Sequence, residues 1–155
     1  MPADNIIALS FIKIVCSRME ASGAMNLQRK RRMIKVKRVY DPPAPRDGFR
    51  MLIDRLWPRG LTKEKACVSE WRKDLAPSDR LRKWFDHEPK KWDEFRRRYH
   101  EELRPRAKEL QELAQKKRPA TITILYGARD QEHNNAVALK ELLDELRTGA
   151  ESGTK

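Results

Sequence analysis

Thr121-Ile122-Thr123-Ile124-Leu125-Tyr126, followed by Gly127-Ala128-Arg129-Asp130, is the stretch that decides the fold. Its six residues are β-branched or apolar, the mark of a strand buried on both faces. Asp130 is placed to cap a helix that carries Ala136, Leu139, Leu142, Leu143 and Leu146 on one face. A fully buried strand running straight into an amphipathic helix belongs to an α/β fold.

The rest of the chain agrees. Ile34 to Tyr40 alternates apolar and charged residues, a period of two that reads as a strand. Phe49 to Asp54 holds Met51-Leu52-Ile53, a short buried strand, and Trp57-Pro58-Arg59-Gly60 breaks it. Cys67 to Trp71 reads as a brief edge strand. Ser78 is an N-cap for a helix with Leu81, Trp84 and Phe85 on one face. Pro89 suits a first helical turn, after which Trp92, Phe95, Tyr99 and Leu103 recur at steps of three and four. Pro105 should kink or end that helix, and Ala107, Leu110, Leu113 and Ala114 resume the pattern. The expectation is one small α/β domain, three-layer-like, with a short and mostly parallel sheet flanked by helices.

Composition bounds the function. The chain has 155 residues, 39% hydrophobic and 37% charged, with a net charge of +12. No apolar run approaches the roughly 18 residues of a membrane span. Two cysteines make neither a disulfide scaffold nor a four-cysteine zinc site, and with three histidines no metal or cofactor is implied. A cytoplasmic domain with an anionic partner is expected, of no readable oligomeric state. Residues 1–32 read as an extension outside the domain, with a modest apolar stretch followed by Arg29-Lys30-Arg31-Arg32, and Met25 and Met33 are both plausible starts. Without them 29 Lys and Arg face 21 Asp and Glu, so the domain over 33–147 keeps a net +8. Residues 148–155 are small and polar and read as a flexible tail.

In open α/β sheets ligands bind beyond the carboxyl ends of parallel strands. Tyr40 and Asp41 follow the first strand; Asp54, Arg55, Trp57 and Arg59 follow the second; Tyr126, Arg129 and Asp130 follow the last. If these strands are parallel, these residues meet at one edge, where the N-terminus of the last helix adds partial positive charge. One spacing points the other way. The link over 42–48 is shorter than an ordinary parallel crossover, which favours an antiparallel first pair and would send Asp41 and Asp54 to opposite edges.

The strings Ile34-Lys35-Val36-Lys37-Arg38-Val39-Tyr40-Asp41-Pro42-Pro43, Asp54-Arg55-Leu56-Trp57-Pro58-Arg59-Gly60-Leu61, Leu81-Arg82-Lys83-Trp84-Phe85 and Leu125-Tyr126-Gly127-Ala128-Arg129-Asp130-Gln131-Glu132-His133-Asn134-Asn135-Ala136 resemble the YeaO-like family of small bacterial proteins. The likeness covers about 33–147. It implies a parallel first pair whose crossover helix has shrunk to the proline-rich loop. Many relatives in the wider superfamily carry a Cys after the last strand and a Cys-His-Arg at the following helix. Here those positions fall near Tyr126 and near His133, Asn134 and Asn135, without a Cys. The resemblance brings no activity with it.

Three readings of function follow. The first is a binding domain for an anionic, nucleotide-like or nucleic-acid ligand. Arg50, Arg55, Arg59 and Arg129 would grip phosphate around Tyr40, Trp57 and Tyr126, with Asp41 and Asn134 in the same pocket. Its bland counterpart pairs Arg55 with Asp41 or Asp54 and uses Trp57 to cover the core edge. The second is a hydrolase acting on a nucleotide or phosphodiester, with Asp54 (or Asp41) as base and His133 moving a proton. A carboxylate among arginines is a weakened base, and the chain has no Gly-rich phosphate loop and no nucleophile elbow. The third is non-specific nucleic-acid binding through Arg96-Arg97-Arg98, Lys116-Lys117-Arg118 and the basic tail. Glu94, Glu101 and Glu102 stand ready to neutralise the first of these runs. His87 reads as a turn residue, His100 as exposed, Cys67 as a small buried hydrophobe, and Trp84, Phe85, Trp92, Phe95 and Tyr99 as core.

Overall fold

A computed structural model describes residues 33–116 and 119–151. The extension 1–32, Lys117, Arg118 and 152–155 lie outside the described residues. Four strands form one parallel sheet in the order β1-β4-β2-β3, where β1 is Met33–Arg38, β2 Phe49–Leu52, β3 Glu70–Trp71 and β4 Thr121–Tyr126. The most apolar strand, β4, is central, with Ile122 and Leu125 paired to both neighbours.

This order corrects the antiparallel expectation. β1 and β2 are parallel but not adjacent, because β4 lies between them. The ten residues 39–48 need only return along β1, about 20 Å, and step sideways two strand spacings, about 10 Å. Ten extended residues reach about 33 Å, so no crossover helix is required. The segment turns at Val39–Asp41, runs without regular structure through Pro42 and Pro43, and ends in a single 3₁₀ turn, Pro45–Asp47, which Pro45 opens. The lysines of β1 hold it down: Lys35 Nζ donates to the Arg46 carbonyl at 3.0 Å, and Lys37 Nζ to the Pro42 carbonyl at 2.7 Å and to Asp47 at 2.9 Å. The polar positions of the period-two pattern thus face a returning loop rather than bulk water.

Alternation along the strands divides the core. Ile34, Met51, Ile53, Ile122, Ile124 and Tyr126 face four helices: α2 (Asp79–Phe85), α3 (Trp92–Leu103), α4 (Ala107–Gln115) and α5 (Asn135–Glu151). Phe85, Phe95 and Tyr99 stack there, with ring centroids 4.4 and 5.8 Å apart. Leu52 and Leu125 face the other way, against Val39, Ala66, Trp57, Leu61, Val68 and Trp71. That second face is covered by loops and by the one-turn helix α1, Lys63–Ala66, which no sequence pattern had signalled. The domain is therefore α/β with an all-parallel sheet, and its helices are concentrated on one face.

Local signals explain the helix ends. Ser78 Oγ accepts from the Leu81 N–H at 3.1 Å, as its place before α2 predicts. Pro105 separates α3 from α4 by a single 3₁₀ turn, Arg104–Arg106. The cap of α5 differs from expectation. Asn134, not Asp130, accepts from the Val137 N–H at 3.1 Å. Asp130 instead closes its own turn by accepting from the N–H groups of Glu132 and His133 at 2.8 and 2.9 Å. α5 then runs to Glu151, through residues that read as tail. His100, expected exposed, is half-buried with Nε2 2.9 Å from the Ala138 carbonyl. Cys67 is half-buried at a left-handed position (φ 45°) rather than packed in the core. No helix among the described residues is long and apolar enough to cross a membrane.

Candidate functional site

Parallel strands bring the ends of β1, β2 and β4 to one edge, and α5 starts there. The residues gathered at this edge fall into two groups on either side of Gly127. A Cβ placed on Gly127 would lie 2.9 Å from Asp54 Oδ2 and 3.9 Å from Tyr40 Cε2, so the glycine is a thin wall between them.

The first group surrounds a cleft of about 250 Å³. Asp54, Arg55 and Asn134 line it as anticipated, together with Asn135, Gly127, Arg82 and His87. Buried Pro77, Phe85 and Phe95 form apolar wall, and exposed Arg55, Arg82, His87 and Leu56 stand around the opening. Asp54 is fixed by neutral donors. Its Oδ2 accepts from the Gly127 N–H at 2.7 Å and its Oδ1 from Asn135 Nδ2 at 3.2 Å. Trp71 Nε1 holds the Asp54 carbonyl at 2.7 Å. Burial pushes the Asp54 carboxyl above its ordinary range, and the bonds from Asn135 and Gly127 only partly offset this. Arg55 turns away from Asp54 and faces Asp79 at 3.7 Å, with both side chains about half exposed. Pairing of Arg55 with Asp41 or Asp54 therefore does not occur.

The second group is an open shelf at the end of β1. Tyr40 is 42% exposed, and its hydroxyl donates to the Arg59 carbonyl at 3.2 Å. The Arg38 guanidinium lies 5.5 Å from the Tyr40 ring centroid and donates through Nε to the Ala128 carbonyl at 3.1 Å. These contacts tie the Trp57–Gly60 loop, β1 and the turn after β4 together. Arg59, Arg129 and Asp41 are exposed at the three loops. Among the described residues, Arg38, Arg59 and Arg129 have no carboxylate within 4 Å. Tyr126 is buried beside them, and burial raises its hydroxyl above the ordinary range.

Three anticipated residues lie elsewhere. Arg50 is at mid-strand, opposite Thr123, on the loop-covered face of the sheet. It is 3% exposed, pairs with Asp47, and donates through Nε and Nη2 to the Ala66 carbonyl at 3.1 and 3.0 Å. Its role is structural because alternation puts residue 50 on the face of Leu52, away from the edge. Trp57 covers that same face, 5.3 Å from Trp71 and with Nε1 bound to the Leu61 carbonyl at 2.6 Å. His133 lies outside the cleft lining. Its Nδ1 is 2.9 Å from Asp130, and its ring meets Trp92 edge-on at 5.4 Å. That arrangement holds the turn before α5 and does not bring His133 to Asp54.

Arg82, and His87, which the sequence marks only as a turn residue, were not expected at the site. The helix capped at Ser78 ends at Phe85, and Asp86 and His87 then leave it in left-handed conformations (φ 45° and 53°) that turn the chain back over the cleft. The basic run of α3 is internally neutralised. Arg97 bonds Glu94 and Glu101 at 2.7 Å each, Arg98 bonds Glu94 at 2.6 Å, and Arg96 bonds Asp93 and Glu141. The arginine bonds hold Glu94 at about 2. Among the described residues no group of three or more His, Cys, Asp or Glu could hold a metal ion.

Comparison with known proteins identifies the family. A family described as the "Inactive DUF488-N3 subclade" matches residues 33–154. "Uncharacterized protein YeaO" of Escherichia coli (strain K12) is 41% identical over 113 residues, 73% of this chain and 98% of the relative. "Uncharacterized protein Rv3073c" of Mycobacterium tuberculosis (strain ATCC 25618 / H37Rv) is 40% identical over 111 residues, 72% of this chain and 93% of the relative. No solved structure matches the chain. The chain belongs to the YeaO-like, domain-of-unknown-function family, within the inactive DUF488-N3 subclade.

Proposed function

We propose that this is a cytoplasmic, non-catalytic binding domain whose carboxyl edge takes an anionic, nucleotide-like ligand. One observation carries the reading. The cationic side chains without carboxylate partners include Arg38, Arg59 and Arg129 at this edge, around exposed Tyr40, whereas the arginine run of α3 is paired. Arg38 is held by the Ala128 carbonyl and adds charge, whereas Arg59 and Arg129 can grip phosphate through two parallel hydrogen bonds, and the exposed Tyr40 ring beside them offers a stacking face. The N-terminus of the 17-residue helix α5 opens toward the same edge and favours negative charge.

The hydrolase reading is weaker. His133, the residue expected to move a proton for Asp54, is spent on Asp130, and the subclade is described as inactive. Asp54 acts here as a fixed acceptor rather than as a base.

The test is calorimetric titration of the full chain with nucleoside monophosphates and triphosphates, and with short oligonucleotides, at several salt concentrations. Binding of a free nucleotide that is lost in Arg59→Ala and Arg129→Ala supports the reading. Binding that survives both substitutions, or nucleotide turnover that disappears in Asp54→Asn, overturns it.

A further inference from the structure

The arginine shelf explains an anion; it does not explain Asp54. This carboxylate lines the cleft, has no cationic side chain within 4 Å among the described residues, and is held only by the Gly127 N–H and the Asn135 amide. A carboxylate has about four lone-pair positions, and two of these are filled. Two acceptor positions, one on each oxygen, remain unfilled by protein groups. Removing a charge from water without a cation is costly, and filling those positions with donors recovers part of the cost. A cationic donor would meet Arg55 and Arg82 at the opening, so the cleft suits a neutral group with two adjacent N–H donors, one for each oxygen.

Size and lining narrow the choice. About 250 Å³ is below the usual range of about 300–1,000 Å³ for a whole small-molecule site, so the cleft houses one part of a ligand. Buried Pro77, Phe85 and Phe95 give it apolar sides that suit a flat ring. The arginines stand outside, around the opening and across Gly127 on the shelf.

We propose that the cleft reads the N–H edge of a guanine-type base, a ring N–H beside an exocyclic amine, with Asp54 as the acceptor of both, while the nucleotide's phosphate lies on the arginines. This rests on the anion-binding reading above and names the base that completes it. Adenine fits poorly, because it offers a ring acceptor next to its amine and so turns a lone pair toward the carboxylate. Hypoxanthine keeps the ring N–H and loses the amine.

The experiment compares GMP, IMP and AMP in titrations of the full chain at one pH and salt concentration. A lost hydrogen bond to a charged acceptor is worth roughly tenfold or more in affinity. GMP is expected to bind tightest, IMP about tenfold weaker and AMP weaker still. In Asp54→Asn the gap between GMP and IMP should close, with unfolding monitored to verify that the variant is folded. The GMP and IMP comparison on the unmodified chain stands even if that variant does not fold. Equal binding of GMP and IMP, with both dependent on Arg59 and Arg129, overturns the base assignment and leaves the anion site intact. Absence of binding by all three overturns both.

Discussion

Asp47 and Arg50 form an ion pair inside the protein, with side chains 5% and 4% exposed, on the sheet face opposite the helical core. Asp47 also accepts from Lys37 Nζ and from the Ala44 N–H at 3.0 Å, and its carbonyl accepts from Thr123 Oγ1 at 2.6 Å. Arg50 reaches on to the C-terminal carbonyl of α1. With these contacts the pair joins the proline-rich return segment, three strands and α1.

Breaking this pair should be expensive. Removing Asp47 leaves the buried Arg50 guanidinium uncompensated, at a cost of about 3–5 kcal/mol, whereas removing Arg50 leaves Asp47 still paired with Lys37 at 2.9 Å. Asp47→Ala should lower stability by that order in urea unfolding, and Arg50→Ala by less. A loss below about 1 kcal/mol would show that the pair is not structural. The pH dependence has a definite sign. Burial pushes the Asp47 carboxyl up, but the Lys37 bond, the Ala44 N–H and the charges of Arg50 and Lys37 outweigh it and leave it below its ordinary value of 3.8. Its contribution is complete above that value and is lost as pH falls through the lowered one.

The return segment makes a second prediction, in its glycine. Gly48 has φ +61°, and a Cβ there would lie 2.4 Å from the Thr121 carbonyl oxygen at the start of β4. Gly60 has φ +77° but open space around it. Gly60→Ala should cost only the left-handed backbone penalty of about 1–2 kcal/mol. Gly48→Ala adds a backbone collision, worth about another 1–3 kcal/mol. Thermal unfolding of the two variants should rank them in that order. Equal losses would mean that contact with β4 does not set the path of the loop.

These two cases mark where the sequence could be read. Thr121–Tyr126 is legible because a strand buried on both faces is β-branched or apolar throughout, and Ser78 and Pro105 are legible because caps and breakers act locally. Arg50 was not. Which face a strand residue occupies matters only once the cover of each face is known, and α1 with its loops carries too weak a pattern to announce that cover. The link over 42–48 misled for a related reason: its length forbids a helix between neighbours, but it does not forbid a return past an inserted strand. At the site, Asp54, Arg55 and Asn134 follow from the rule for carboxyl edges, whereas Arg82 and His87 come from a helix end whose position depends on tertiary packing.

Asp54 gives a prediction opposite in sign to that of Asp47. Its carboxyl is raised by burial, more than the Asn135 and Gly127 bonds lower it. A carboxyl raised in the folded state binds more protons there than in the unfolded chain, so ionisation lowers stability as pH rises from 3.8 through the raised value. Asp54→Asn removes that titration. The stability of Asp54→Asn relative to the parent should therefore improve as pH goes from 3 to 7, measured by melting temperature across that range. A difference that stays flat would show that Asp54 is solvated in the folded state.

The charge distribution supplies the last test, which separates the edge from the surface. Arg97 is bound by Glu94 and Glu101, so its charge is already spent. Arg59 and Arg129 are exposed and without carboxylate partners among the described residues. Exposed arginines that hold nothing within the fold contribute little to stability, typically within about 0.5 kcal/mol. Arg59→Ala and Arg129→Ala should leave the melting temperature nearly unchanged and weaken nucleotide binding about tenfold or more, the value of a hydrogen bond between charged groups. Arg97→Ala should cost no more stability than its exposed helix pairs supply, and leave nucleotide affinity unchanged. A binding domain built around its carboxyl edge requires that contrast. If Arg97→Ala weakens binding as much as Arg59→Ala does, and affinity falls steeply with salt for every ligand, then the protein holds anions by diffuse surface charge.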